Sequence, residues 1–499
     1  MQKRIKDINE KIKKGEAVIV GADEMPELYE ENPKRAFREV DVVTTATFGA
    51  MCSSGAFLNL GHSDPPIKMQ KVWLNDVEAC TGIAAVDLYI GATQLSESKG
   101  FEYGGAHVIE DLIAGKEIEV RAESYGTDCY PRKKLKTTVT IDDLNQAIMV
   151  NPRNAYQRYK AATNSSDMKL RTYMGTLLPR YGNVNFAGCG EISPLANDPS
   201  YKTIGIGTRI FIGGSIGYVI GEGTQHNPKE QMGTISVRGD MKNMSTEYVK
   251  AATIPGYGVT LFVGIGIPIP ILDEELAKST AVRNSDLKTE ILDYGVPRLN
   301  KPVVARVSYE ELFSGKVEIK GKKVKTGSLS SLKIAKQIMD ELKIWIEDKE
   351  FYLSEPVERL SRDVTYKPMR MEKKIIRVID IMTREVIVAS PEQSIEEVSE
   401  ILVKNHIDQV PVTIENMELR GIVTSRDIIK GIAEKKKRIR DIMTKKVIVS
   451  FADEPIDVVV RRMNKYKIDA TPVIDENGKV IGIITISDIM RKGYREESS

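Results

Sequence analysis

The sequence predicts a mixed α and β chain in two parts: an α+β domain over residues 1–360, whose topology the sequence does not specify, and a tail of two β-α-β-β-α units. Three observations predict it. One pattern is written twice in the last 120 residues or so. Upstream, helix and strand signals alternate loosely, without clear βαβ units. A polar, basic stretch over 361–374 reads as the linker between them, so the boundaries expected are 1–360, 361–374, 375–433 and 434–493.

Taken in order, residues 1–10 form a charged amphipathic pattern that predicts a helix and lacks the apolar segment of a secretory signal. Residues 17–21 and 39–45 read as strands. Residues 142–161, beginning with Asp142 and Asp143, read as a helix that Pro152 breaks. Glycine punctuates an apolar, β-rich run over 203–223 and again over 259–272. Neither run completes G-x-G-x-x-G between a strand and a helix, and no P-loop pattern occurs, so these glycines read as structural. Ser328 reads as an N-cap, followed by Leu332, Ala335, Ile338, Met339, Leu342 and Trp345 on one helical face.

The repeat begins at Asp380-Ile381-Met382-Thr383 and returns 61 positions later as Asp441-Ile442-Met443-Thr444. The register then holds without a gap: 21 of 50 positions are identical between 380–429 and 441–490. Each copy reads as a β-branched strand (386–388, 447–449), a helix, two strands joined by a polar turn, and a last helix near Asp427 or Asp488. A unit of about 50 residues buries little core alone, so the two are expected to pack together.

Composition narrows the function classes. Lys+Arg (72) and Asp+Glu (70) nearly cancel, which gives no field for nucleic acid. The longest apolar stretch, 261–272, contains glycine and two prolines and is too short to span a bilayer, so no membrane association is expected. Four histidines show no metal-ligand spacing, and no metal is expected. Cys52, Cys80, Cys129 and Cys189 lie far apart without C-x-x-C, which reads as reduced thiols in a cytoplasmic protein.

Two of these cysteines carry the better chemistry. Cys129 sits among turn formers and is followed by Arg132, Lys133 and Lys134; cations favour thiolate, the reactive form. Cys52 lies in Phe48-Gly49-Ala50-Met51-Cys52-Ser53-Ser54-Gly55, where small residues let backbone approach a substrate. Cys189 is similarly framed by Gly188 and Gly190, and Cys80 has acidic neighbours.

The Asp-Ile-Met-Thr opening, the apolar-Pro-Val strand and the Gly-apolar-apolar-Thr-x-x-Asp ending resemble a tandem pair of CBS domains. The resemblance implies a cleft for an adenosyl ligand, with Thr424 and Asp427, and Thr485 and Asp488, as the binding candidates. A carboxylate there would take the ribose hydroxyls and the Thr hydroxyl the polar tail. The same residues also fit as caps of the helices that follow, and both readings stand.

Residues 43–55, 125–131 and 183–194 resemble the homocysteine-biosynthesis family of anaerobic archaea and bacteria. That resemblance implies an L-aspartate semialdehyde sulfurtransferase, in which sulfide-derived sulfur and two electrons turn the aldehyde into a thiol. Cysteine suits this chemistry as a persulfide carrier. Cys129 is expected to hold the sulfur and Cys52 to be its partner, or the reverse. No cofactor is expected to be tightly bound in the catalytic domain, and the resemblance implies a ferredoxin-like iron–sulfur electron donor. Arg132, Arg171 and Arg180 are candidates for the substrate carboxylate. The sensor and the chemistry together suggest regulation by S-adenosylmethionine or methylthioadenosine at the CBS pair, with AMP or ATP as rival. A homodimer is expected by the same resemblance. The readings from other classes are a non-enzymatic adenosyl sensor and an iron–sulfur or sulfur-carrier protein using Cys52, Cys129 and Cys189.

Overall fold

Side chains that alternate between buried and less buried along Gln146–Asn154, Ser215–Glu222 and Ile235–Asp240 make these runs neighbours in one ten-stranded sheet. The computed structural model describes residues 3–296, 298–365, 367, 369 and 375–496. They divide into two units, Met1–Gly295 with Pro302–Lys367, and Val296–Lys301 with Pro368–Ser499. The linker expected at 361–374 lies partly outside the described residues, at 366, 368 and 370–374.

In the first unit the large sheet runs Ile19–Gly21, Val42–Ala50, Gly258–Pro270, Arg209–Ile212, Ser215–Glu222, Ile235–Asp240, Gln146–Asn154, Gly55–Asn59, Asp87–Gly91. Val249–Ile254 also pairs with Gly258–Pro270. All these pairings are antiparallel except Ile19–Gly21 with Val42–Ala50. The first unit also holds two six-stranded sheets whose strands are interleaved with those of the first in sequence: an antiparallel one within 71–139 and a mixed one within 161–328.

Two expectations are corrected here. Residues 142–161 are not a helix: Gln146–Asn154 is a strand that buries Ala147, Met149 and Asn151 at every second position. Pro152 does mark a break, because the register against Ile235–Asp240 shifts between Asn151 and Asn154. Ser328 is not the N-cap of the long helix. That helix is Leu332–Glu347, and Ser331 accepts the Ile334 N–H at 3.3 Å. The run 203–223 is a hairpin, Arg209–Ile212 with Ser215–Glu222, turned by Gly213 and Gly214. Both turn residues have positive φ, 62° and 89°, which suits the twist of a two-residue hairpin.

Two helices close the first unit. Leu332–Glu347 packs Ala335, Ile338, Met339, Leu342 and Ile346 onto the sheet. The N-terminal pattern becomes Ile5–Lys14, with Ile5, Ile8 and Ile12 buried, each contributing about 1.5–3 kcal/mol. Lys3 and Lys11 meet the buried Asp41 at 3.1 and 2.8 Å, so the helix is tied down by charge as well.

In the second unit each copy holds two antiparallel strands, Gln409–Thr413 with Leu419–Thr424, and Ala470–Ile474 with Val480–Thr485. The helices are Ile395–Asn405 and Ser425–Ala433 in the first copy, Ile456–Tyr466 and Ile486–Glu496 in the second. The β-branched runs 386–388 and 447–449 are not strands. Pairing starts just beyond them, at Ala389 against Val412 and at Ser450–Phe451 against Ala470–Ile474, because only there does an edge offer partners.

The two copies interlock reciprocally. Thr383 exchanges both backbone hydrogen bonds with Ile483, each 2.9 Å, and Thr444 does the same with Ile422 at 2.9 and 3.0 Å. A Cβ on Gly482 would sit 2.6 Å from the Met382 sulfur, and one on Gly421 would sit 2.7 Å from the Met443 sulfur. The Met and Thr of each opening motif are therefore spent on the strand of the other copy.

Candidate active site

The strand Val42–Ala50 is buried along its length and ends at a tight corner. The Met51 N–H is held by the Leu261 carbonyl at 2.7 Å, and the Met51 carbonyl accepts from the Ser54 N–H and hydroxyl at 2.9 and 2.8 Å. Cys52 stands on this corner, half-buried, with its Sγ 3.2 Å from the hydroxyl of the fully buried Thr260. It faces a cavity of about 530 Å³.

Residues on eight separated stretches line that cavity. Gly49 and Ser53 flank Cys52, while Arg153, Tyr156 and Tyr159 follow the bulged strand end. Tyr173, Gly188, Gln225, Tyr257 and Ser330 complete the principal wall. Gly49 is required by the tight fit, because a Cβ there would lie 2.7 Å from the Ser330 Oγ, which accepts the Gly188 N–H at 2.9 Å. Among the described lining residues Arg153 is the only charged group. Its Nε donates to the Thr224 hydroxyl at 3.1 Å and its Nη1 to the Gln225 side chain at 2.6 Å, which fixes the guanidinium.

The phenols set the electrostatics. Burial pushes Tyr156 above its ordinary value, with Arg153 pulling back and charge on Cys52 adding to the rise. Burial raises Tyr257 as well, and Cys52 is the next cause. Tyr159 is raised further, by burial and then by Tyr173, whose hydroxyl lies 2.7 Å from that of Tyr294. These hydroxyls stay neutral and can donate hydrogen bonds or a proton to an oxygen that gains charge. The cavity thus combines a nucleophilic sulfur, one cation and neutral acids, a set suited to adding sulfur to the carbonyl of a small carboxylate-bearing molecule.

The four cysteines are not gathered at one point. Cys189 is buried behind Thr47, another lining residue, whose hydroxyl donates to its Sγ at 3.6 Å; burial raises its thiol. Cys129 is exposed, on the turn between Ile118–Glu123 and Lys134–Val139, where Thr127 and Tyr130 exchange backbone hydrogen bonds of 3.0 and 3.1 Å. It is not among the cavity's lining residues, and Cys80 is exposed elsewhere. Among the described residues no three His, Cys, Asp or Glu come together as a metal site.

The three arginines considered from the sequence lie elsewhere. Arg132 donates to backbone carbonyls of Asp64 and Pro65, Arg180 pairs with Asp167 at 2.5 Å, and Arg171 does not line the cavity. Arg153 and the tyrosines were missed. Their only signal was the cluster Asn151-Pro152-Arg153-Asn154-Ala155-Tyr156-Gln157-Arg158-Tyr159, hidden inside an assumed helix. None of the glycines in 203–223 or 259–272 lines the cavity.

In the second unit Thr424 and Asp427 form a reciprocal cap. The Asp427 Oδ2 accepts from the Thr424 N–H and hydroxyl at 2.9 and 2.7 Å, and the Asp427 N–H returns to the Thr424 oxygen at 3.2 Å. Thr485 and Asp488 repeat it at 2.9, 2.7 and 3.1 Å. No helix among the described residues is long and apolar enough to cross a membrane.

Comparison with known proteins gives the family of the chain. Residues 17–353 match the family described as "Homocysteine biosynthesis enzyme, sulfur-incorporation", and residues 378–434 and 439–494 each match the CBS domain. An L-aspartate semialdehyde sulfurtransferase of Methanosarcina acetivorans is 51% identical over 98% of this chain and 99% of its own length. The protein of the same name from Methanocaldococcus jannaschii is 53% identical, again covering 98% and 99%. Among solved structures, a CBS domain pair in complex with 5′-methylthioadenosine and S-adenosyl-L-methionine is 41% identical over 25% of this chain and 99% of that one, with a TM-score of 0.24. The chain is a member of the homocysteine biosynthesis, sulfur-incorporation enzyme family, with a CBS domain pair at its C-terminal end.

Proposed function

We propose that the chain converts L-aspartate semialdehyde to L-homocysteine. The names of its relatives support this, and one observation carries it: Cys52 opens into a cavity where Arg153 is the sole charged residue among the described lining residues and phenols form much of the wall. Arg153 takes the substrate's carboxylate, and Tyr156 and Tyr257, whose hydroxyls feel charge on Cys52, protonate the carbonyl oxygen as sulfur adds.

Overall, aldehyde, hydrogen sulfide, two electrons and two protons give thiol and water. Cys129, exposed and followed by cations, is the thiol loaded with sulfur; because it does not line the cavity, its turn must carry the persulfide to Cys52, its partner there. The terminal persulfide sulfur bonds to the aldehyde carbon. Cys52 then attacks the Cys129 sulfur, forming a disulfide and leaving the sulfur on carbon as a thiol beside the hydroxyl. Water leaves, and two electrons from an external iron–sulfur protein reduce the resulting thioaldehyde. Fresh hydrosulfide opens the disulfide and restores the persulfide.

The test is homocysteine formation from aspartate semialdehyde, sulfide and a reductant by Cys52→Ser, Cys129→Ser and Cys189→Ser. The first two should lose roughly a thousandfold or more, and the third should retain most activity. Full activity in Cys52→Ser would end this reading. Mass spectrometry of the disulfide form of the enzyme treated with sulfide should find the added sulfur on the Cys129 peptide; finding it on Cys52 would reverse the order of the two thiols.

The tail is proposed to bind an adenosyl ligand, S-adenosylmethionine or methylthioadenosine, at Asp427 or Asp488. Each carboxylate spends Oδ2 on its cap, and Oδ1 remains for ribose. Calorimetry of the full chain with each ligand and with AMP tests this, and tighter AMP binding would exclude feedback by the sulfonium compound.

A further inference from the structure

The segment that gives Tyr156 and Tyr159 to the sulfur cavity gives Arg158 and Lys160 to a second cleft, of about 270 Å³. Five cations line it, the others being Lys229, Lys288 and Arg306, against two carboxylates, Glu230 and Glu290. Glu290 is already engaged, by Lys160 at 3.0 Å and Arg306 at 3.2 Å. Lys229 reaches the exposed Asp363 at 3.5 Å, its one ion pair among the described residues.

Two cations are left over. Lys288 has no ion-pair partner among the described residues. Arg158 is half-buried and gives one N–H to the Gln231 side chain, while its buried Nε has no hydrogen-bond partner among the described residues. Burial lowers its pKa, the mark of a cation short of compensation. A guanidinium short of partners beside an ammonium, in a concave site, matches a ligand with several oxygens and more than one negative charge. The volume falls just under the roughly 300 Å³ at which pockets for drug-sized ligands begin. A compact anion fits it, and the surface of a folded acidic protein does not.

We propose that this cleft binds a compact oxyanion of the phosphate type, either free phosphate or the phosphate group of a small metabolite, on Arg158 and Lys288. The proposal is independent of the sulfur chemistry, since neither residue lines the sulfur cavity.

The test is calorimetry of the full chain at low ionic strength with inorganic phosphate and, separately, with glycerol phosphate. One site per chain is expected, weakened about tenfold or more by Arg158→Gln and by Lys288→Gln. It should weaken as chloride is added and be unchanged in an Asp427→Ala, Asp488→Ala double variant. Tighter binding of the ester than of free phosphate would assign the metabolite as the source; the reverse would assign the free ion. Circular dichroism checks that the variants fold, and Lys288, which is exposed, supplies a variant with little risk to folding. No binding of either probe, affinity unchanged from the parent chain in both cleft variants, or loss of binding in the tail variant would each overturn the proposal.

Discussion

At the scale of single residues, the reactivity of each thiol follows from what surrounds it. Cys189 is buried and its thiol is raised by that burial, whereas Cys52 is half-buried and Cys129 exposed. In the folded enzyme near neutral pH, a small alkylating reagent should therefore label Cys52 and Cys129 well before Cys189, as peptide mapping over time would show; early labelling of Cys189 would mean that the Thr47 wall opens. Arg153 allows a second prediction. It is held by Thr224 and Gln225 rather than by a carboxylate, so its charge is available to a substrate. Arg153→Gln should raise KM for the aldehyde substrate roughly ten- to hundredfold, the value of a charge-assisted hydrogen bond of about 1.5–3 kcal/mol. A change in kcat alone would place the group in chemistry instead of binding. Cys52 was legible in the sequence by the small residues around it, a signal that Cys189 shares although it is buried. Arg153 was not, because nothing local distinguishes a cation facing a cavity from one facing water.

At the scale of elements, the corrections share a cause: local preference is weak where pairing decides. Gln146–Asn154 opens after two acidic residues that suggest a helix start, yet it is a strand, because Ile235–Asp240 and Gly55–Asn59 pair with it on either side. The bulge at Pro152 then throws Arg153 and Tyr156 toward the cavity, so the misread element and the missed residues are one error. The start of Leu332–Glu347 was read three residues early, since serines occupy 328, 330 and 331 and each offers an oxygen. Ser328 bonds to Ser330, and only Ser331 caps the helix. Ser331→Ala should cost about 1 kcal/mol of stability, measurable by denaturant unfolding. Because Ser330 lies next to that cap and lines the cavity, the same variant should also lower activity more than its stability loss explains.

At the scale of the whole molecule, the repeat carried more information than any other feature, because an internal duplication constrains both copies at once. It showed that two units exist, and it left hidden what the opening motif does. In the structure Met382 and Thr383 belong to the strand of the second copy, and Met443 and Thr444 to the strand of the first. The first unit has its own global signature, in its buried phenols. Burial raises Tyr309 from about 10 to about 12, and raises Tyr159, Tyr201 and Tyr294 in the same direction. Below pH 10 neither folded nor unfolded Tyr309 has lost its proton, so its contribution is fully present. Between about 10 and 12 only the unfolded state ionises, so stability should fall with rising pH by roughly 2–3 kcal/mol from this group alone. The share of tyrosinate absorbance that belongs to the buried phenols should then appear together with unfolding, after that of exposed tyrosines such as Tyr125 and Tyr218. The reciprocal exchange in the tail supports the last prediction. A chain ending after residue 433 keeps the first copy but loses Met443 and Thr444, which cover Gly421 and complete the edge at Ile422. It also strands Met382 and Thr383 with nothing to pair. A single copy should therefore fail to unfold cooperatively, with unprotected amides at Ile422 and Thr383 in hydrogen exchange, while residues 368–499 together protect both. The less drastic change Gly482→Val makes the same point. The new side chain would occupy the place of the Met382 sulfur, 2.6 Å from where its Cβ must stand, and should destabilise both copies although only one is altered. If the first copy kept its protection in that variant, the two halves would be independent and the exchange of motifs would be a contact without energetic weight.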